Sequence, residues 1–270
     1  MWPRPDQTGK RVCRRGKRVR ARRFPRGNRT GSWLAGGSGR DARAEGTTRR
    51  RRCVELERMM GIDWTKYDGV LFDLDGTLVD SMHVWEQVVR AIYEASGIDS
   101  SVPEDMKRYH AMKVSEVFTY IRKRWQTAMD EDAMQKIADS ILLEQYTYHI
   151  QPVPGAISFV KTCREKGKKL AVVTSSPMVL VEPVLKRLGI WDDFDGIASA
   201  EDQKLSKREP EIFTRTLDAL GISAQRTLYF EDSRYALETA DRLGITGIGM
   251  KTETEPYLDR AAVEDFCEVR

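Results

Sequence analysis

The sequence has little cysteine and no long apolar run. Its four cysteines, Cys13, Cys53, Cys163 and Cys267, stand apart, with no CxxC pair and no metal-ligand spacing. That argues against a zinc site and against a disulfide framework. Reduced thiols in a cytoplasmic protein are the expectation that follows. No stretch approaches the roughly 18–20 consecutive apolar residues of a membrane span. The basic N-terminus also lacks the apolar run of about 7–15 residues that a secretory signal needs; its longest patch is Trp33-Leu34-Ala35. Membrane insertion and export are both disfavoured.

Charge is plentiful but unevenly spread. The 270 residues sum to a formal net charge of +4, yet residues 1–58 hold 19 Lys and Arg against 5 Asp and Glu, leaving 26 against 36 beyond them. A strongly basic segment therefore precedes a modestly acidic body. Residues 1–60 have many glycines, few large aliphatics, and Arg runs such as Arg49–Arg52. Too little apolar surface is available there to offset the entropy of ordering, so a disordered tail is expected. Such runs suit nucleic-acid phosphates, and a cleaved transit peptide would also be basic. The simpler expectation is a translation start at Met59 or Met60, with no nucleic-acid partner and all activity in the body.

From residue 67 the pattern becomes regular. Tyr67–Asp73 is a short apolar run ending in carboxylates, the pattern of a buried strand that emerges into a loop. Four similar runs follow at Lys169–Thr174, Gly196–Ser199, Thr227–Phe230 and Gly244–Gly249. Between them lie helical patterns over Ala156–Lys166, Val179–Leu188, Glu211–Leu220 and Tyr235–Leu243, three of them stopped by Gly189, Gly221 and Gly244. Strands alternating with helices predict an α/β fold with a parallel sheet covered on both faces. In such sheets ligands bind beyond the carboxyl ends of the strands. Residues 81–150 break the alternation with helical periodicity throughout, so a helical insertion is expected there. Placed beside the first strand-end loop, it could act as a lid. The predicted layout is a core of residues 61–80 and 151–270 with an all-helical cap at 81–150.

Polar residues close four of the strands. The first ends Asp73-Leu-Asp75-Gly-Thr-Leu-Val-Asp80, and the second ends Thr174-Ser175-Ser176. Lys207 follows the third, and the fourth ends Glu231-Asp232-Ser233. Taken singly, each has a plain structural explanation: a surface carboxylate pair, a turn, a solvated lysine, a helix N-cap. Together they would crowd four carboxylates into one site. Each like-charge pair at 4 Å costs roughly 4 kcal/mol at an effective dielectric of 20, more in sum than a domain's stability of about 5–15 kcal/mol absorbs. A divalent cation is therefore predicted, and an all-oxygen donor set with room for water and phosphate suits magnesium. Cation and lysine would then stabilise charge on a phosphoryl group.

The segments DLDGTLVDS, VVTSS, SKREPEIF and YFEDSRYALETADRLGI resemble, in order, the four motifs of the haloacid dehalogenase superfamily. More narrowly they are similar to the branch that holds beta-phosphoglucomutase and small sugar phosphatases, with a helical cap after the first motif. The resemblance runs from about Tyr67 to Met250 and implies a Rossmann-like core. It implies that Asp73 attacks phosphorus and becomes a phospho-aspartate, while Asp75 protonates the leaving oxygen and later takes a proton from water. By the same resemblance Thr174, Ser175 and Lys207 hold the phosphoryl group. Asp73, Glu231, Asp232 and the backbone carbonyl of Asp75 hold Mg2+.

Some positions depart from the family pattern. The third motif keeps its lysine and second proline as Lys207-Arg-Glu-Pro210, and Arg208 is expected to be solvated. Mutases of the branch often carry a histidine twelve positions after the nucleophile, where this chain has Trp85. Hydrolysis of a small phosphate ester, a sugar or polyol phosphate, by a monomer is the expectation. A phosphohexomutase is the alternative, and a catalytically silent binding protein a third reading. Substrate contacts are expected from the cap residues His83, Arg108, His110 and Lys113, with Trp85 and Glu86 beside them.

Overall fold

The computed structural model describes residues 62–99, 109, 114–252, 257, 259 and 261–266. The basic segment 1–60 and three of the expected cap contacts, Arg108, His110 and Lys113, lie outside the described residues.

In chain order, β1 (Gly69–Phe72) and a short β2 (Val79–Asp80) come first. Among the described residues the next helices are α1 (Met82–Ala95), α2 (Val114–Trp125) and α3 (Glu131–Glu144), the last continuing into a wide π-helical turn over Gln145–His149. The chain returns through β3 (Gln151–Pro152). Helix and strand then alternate: α4 (Ala156–Glu165), β4 (Lys169–Thr174), α5 (Met178–Arg187), β5 (Gly196–Ser199), a one-turn α6 (Ala200–Gln203), α7 (Pro210–Leu220), β6 (Thr227–Glu231), α8 (Arg234–Leu243) and β7 (Thr246–Met250), before a final β8 (Ala262–Val263).

The main sheet has the order β5-β4-β1-β6-β7-β8, and every pairing in it is parallel. Side chains alternate across it, as strand geometry requires. Val70 and Phe72 of β1, Leu170 and Val172 of β4, and Leu228 and Phe230 of β6 enter one core. Leu71, Ala171, Val173 and Tyr229 enter the other, with Ile212, Phe213, Leu237 and Ala240 of the helices α7 and α8. Both faces are thus covered, which is why these strands read as continuous apolar runs. On the first face Phe72, Phe159, Phe230 and Phe266 form an aromatic cluster with ring centroids 4.9–6.2 Å apart. Each fully buried ring contributes about 1.5–3 kcal/mol.

The short strands β2, β3 and β8 and the one-turn α6 escaped the sequence pattern. Strands β2 and β3 pair antiparallel, Val79 with Pro152 and Asp80 with Gln151, so the two chain passages that flank the helical insertion form a two-stranded neck. The last central strand starts at Thr246 rather than Gly244, because Gly244 terminates α8 with φ of +85°.

Candidate active site

Apart from the neck, the core strands run in chain order 3-2-1-4-5-6 across the sheet, with β1 and β6 adjacent at the centre. Connections leave in opposite directions on either side of that pair, which opens a crevice beyond their carboxyl ends. The backbone N–H of Asp73 donates to the carbonyl of Phe230 at 2.9 Å, so Asp73 emerges level with the end of β6. Glu231 closes that strand, and Asp232 follows it. Carboxylate oxygens of Asp73, Glu231 and Asp232 all lie within 4.8 Å of one another.

Lys207 reaches this cluster from the loop before α7. Its Nζ stands 2.9 Å from Asp73 Oδ1 and donates to Glu231 Oε2 at 2.8 Å, and all three side chains are buried. Burial pushes the Asp73 carboxyl well above the usual range, and the Glu231 charge adds to this; Lys207 offsets only part. Burial and then Glu231 raise Asp232 in the same way. For Glu231 burial is the largest influence and acts upward, but the Lys207 ammonium together with hydrogen bonds to Asp232, Lys207 and Tyr229 outweighs it and holds the group below its ordinary value. Lys207 itself is held well above its ordinary value: burial opposes the charge, and Asp73 and Glu231 overcome that.

This donor set fits a small hard cation. The 2.9 Å contact between Lys207 and Asp73 is an ion pair whose angles make no hydrogen bond, so the buried Oδ1 keeps lone pairs unspent. Gly76 has φ of +72°, and a Cβ there would sit 2.5 Å from Asp232 Oδ2; the glycine leaves that oxygen its space. Glu231 is the least available of the three. Its Oε2 already accepts from Lys207 and Tyr229, and its Oε1 from the Ser233 N–H at 2.9 Å. It also holds Lys207 beside the cluster.

Asp75 sits in a different environment two residues on. Its Oδ1 accepts from Ser81 Oγ at 2.6 Å and from the Tyr146 hydroxyl, and its Oδ2 from Ser176 Oγ at 2.6 Å. The side chain is thus surrounded by hydroxyls rather than by the acidic cluster. The sequence pattern does not single out Tyr146 or Ser81 as site residues. Ser81 lies within reach of the first motif's end, but nothing in the sequence marks Tyr146, 71 residues away.

A cleft of about 700 Å³ opens in front of these groups. Its core wall includes Asp73, Asp75, Ser175, Ser176, Lys207, Arg208 and Asp232. Thr174 is fully buried at the end of β4, where its hydroxyl accepts the Ser176 N–H at 3.0 Å. Arg208 is exposed, as expected of a solvated residue, but its guanidinium lies 4.1 Å over the Tyr235 ring at the cleft wall. The facing helical wall is mostly apolar: Met82, Trp85, Val88 and Val89 from α1, Val117 from α2 and Leu142 from α3. His83 is exposed and turned to Asp80, 3.9 Å away, so its neighbours Met82 and Trp85 line the cleft in its place. Among the described residues no helix is long and apolar enough to cross a membrane.

Comparison with known proteins agrees with this geometry. The chain is 28% identical over 166 residues to hexitol phosphatase B of Escherichia coli, covering 60% of this chain and 74% of that protein. It is 27% identical over 195 residues to a phosphorylated carbohydrates phosphatase of Thermotoga maritima, covering 67% and 83%. The crystal structure of beta-phosphoglucomutase from Clostridium difficile superposes with a TM-score of 0.61 at 21% identity, over 76% of this chain and 93% of that one, a likeness of fold. The family model for haloacid dehalogenase-like hydrolases matches residues 70–250, the span that holds every strand-end group described above, and the chain belongs to that family.

Proposed function

We propose that the protein is a magnesium-dependent phosphatase that hydrolyses a small phosphorylated metabolite, a sugar or polyol phosphate, through a phospho-aspartate on Asp73. It is a phosphoric monoester hydrolase, and one observation carries the finer reading. Asp73 and Asp75, two residues apart, occupy unlike environments: Asp73 lies beside Lys207 at 2.9 Å, and Asp75 is held by three hydroxyls. Two carboxyls in different surroundings can take the separate roles of nucleophile and acid.

In this reading an Asp73 oxygen attacks phosphorus while the ester P–O bond breaks. The departing oxygen takes a proton from Asp75, which releases the alcohol. Asp75, now a carboxylate, takes a proton from a water whose oxygen attacks the same phosphorus; the bond to Asp73 breaks and inorganic phosphate leaves. Lys207 stands where it can stabilise the phosphoryl oxygens throughout. Asp73 and Asp232 would hold the cation directly, and when bound it supplies further charge stabilisation to the phosphoryl group. The sugar or polyol class is suggested by the hexitol and carbohydrate phosphatases that this chain is similar to. A mutase would use the same core residues, but Trp85 lines the cleft where mutases of the branch often carry histidine.

The test is phosphate release by the full chain from a panel of sugar, polyol and other small phosphate esters, with magnesium or with chelator, beside Asp73→Asn. Magnesium-dependent release that vanishes in the variant is the expected result. Isomerisation of a hexose phosphate without net release would overturn hydrolysis in favour of the mutase.

A further inference from the structure

Tyr146 is fully buried, and its hydroxyl bonds to a catalytic carboxylate. It belongs to the turn Gln145–His149 that ends α3, where the Ile150 N–H donates to the Gln145 carbonyl at 2.9 Å, five residues back rather than four. Wide turns of this kind occur frequently at functional sites. The turn packs against α5, so Tyr146 reaches Asp75 from the far end of the helical insertion.

The bonds around Asp75 are unequal. A carboxylate oxygen has two in-plane lone pairs. Oδ1 receives two hydroxyls, from Ser81 at 2.6 Å and from Tyr146, and is saturated. Oδ2 receives one, from Ser176 at 2.6 Å, and retains a free lone pair. Asp75 also lines the cleft. We propose that Tyr146 is a positioning residue that assigns the transferable proton of Asp75 to Oδ2, by occupying Oδ1 together with Ser81. Burial, and then the Asp75 charge, push the Tyr146 phenol well above its ordinary range, so it stays protonated and remains a donor. Bonds from neutral donors to an ionised acceptor are the strong ones, and three of them fix the plane of the carboxylate. Ser176, which holds Oδ2, lines the cleft, whereas Ser81 and Tyr146 on Oδ1 are fully buried; without Tyr146, Oδ1 regains a lone pair, and the proton is shared between two oxygens of which one lies on the buried side.

This inference rests on the reading of Asp75 as acid and base, and the experiment separates the two. In the full chain, kcat/KM is measured for sorbitol 6-phosphate and for p-nitrophenyl phosphate with wild type, Tyr146→Phe and Asp75→Asn. This parameter reports steps up to the first irreversible one, here transfer to Asp73 with release of the alcohol. An alkyl leaving group needs a well-aimed acid, and nitrophenolate needs little. Tyr146→Phe is expected to lower the alkyl-to-aryl ratio of kcat/KM on the order of tenfold, with p-nitrophenyl phosphate falling by the smaller factor. An equal fall for both substrates, or no fall, assigns Tyr146 a packing role and overturns the proposal. If Asp75→Asn leaves the ratio at the wild-type value, the acid assignment itself fails. Should wild type turn over neither ester, unfolding of the two single variants and the double decides: non-additive losses support the bond, and additive ones overturn it.

Discussion

The ammonium of Lys207 donates a 2.8 Å hydrogen bond to Glu231 at the floor of the cleft, with both side chains out of reach of solvent. Breaking a buried pair by removing one partner leaves the other charge uncompensated, which costs about 3–5 kcal/mol. Lys207→Met is therefore expected to lose that much stability in urea unfolding, besides phosphatase activity. Paired removal, Lys207→Met with Glu231→Gln, should recover part of the loss. A single variant as stable as wild type would mean that the pair does not support the fold.

Gly76 faces Asp232 across a gap that has no room for a methyl group. Its φ of +72° and the mere 2.5 Å that would separate a Cβ from Asp232 Oδ2 act together against any side chain. Gly76→Ala should cost roughly 1–2 kcal/mol from the left-handed backbone alone, and should also displace Asp232. We expect magnesium affinity to fall on the order of tenfold or more, read by the magnesium concentration that half-saturates the thermal shift. Lost stability with unchanged affinity would place Asp232 outside the metal site.

The frame of the site was legible because it follows from strand ends. Buried parallel strands must be apolar, so Asp73, Thr174 and Glu231 stood out as the polar residues that terminate Gly69–Phe72, Lys169–Val173 and Thr227–Phe230. The neck escaped notice because two-residue strands such as Val79–Asp80 have no periodicity. Tyr146 escaped because its role depends on a π-helical turn, which no spacing announces, and on a contact across 71 residues. The cap was the least readable part. Apolar residues at helical spacing, such as Trp85, Val88 and Val89, serve equally well as core or as cleft wall, and only the packing of α1 on α3 decides between them.

Asp195 joins the start of β5 to β4 and α4. Its carboxylate accepts from the Leu170 N–H at 3.0 Å, Arg164 at 2.8 Å and Lys169 at 3.2 Å. Burial acts to raise the group, but these three donors outweigh it and hold the carboxyl below its ordinary value. A depressed folded value means stability that is present above the unfolded value and lost as pH falls through the folded one. Asp195→Asn should thus be less stable than wild type at pH 7, by on the order of 1 kcal/mol after solvent screening. The gap should persist at pH 5 and narrow from about pH 4 downward, as pH falls toward and through the depressed folded value. Urea midpoints at pH 7, 5 and 3 test this, and a gap as wide at pH 3 as at pH 7 would trace the effect to hydrogen-bond geometry rather than charge.

Asp73 should be a liability in the absence of metal and an asset in its presence. In chelator the carboxylates of Asp73, Glu231 and Asp232 crowd within 4.8 Å with Lys207 beside two of them. Each like-charge pair at 4 Å costs roughly 4 kcal/mol at an effective dielectric of 20. Asp73→Asn removes two such terms and loses one attraction of similar size to Lys207. Its side chain is also neutral, and so avoids the cost of burying a charge. The variant is therefore expected to unfold at a higher temperature than wild type in chelator, by about 2–4 °C for each 1 kcal/mol of net gain. Magnesium should reverse the order. At a hundred times its dissociation constant a ligand adds about 2.7 kcal/mol, and wild type, with its full ligand set, should gain more than the variant. A crossing of the two stabilities between chelator and magnesium, at matched pH and ionic strength, is the signature of a nucleophile that shares the cation. Parallel shifts would mean that the ion binds without Asp73, and that the charge at the cleft floor is balanced by Lys207 alone.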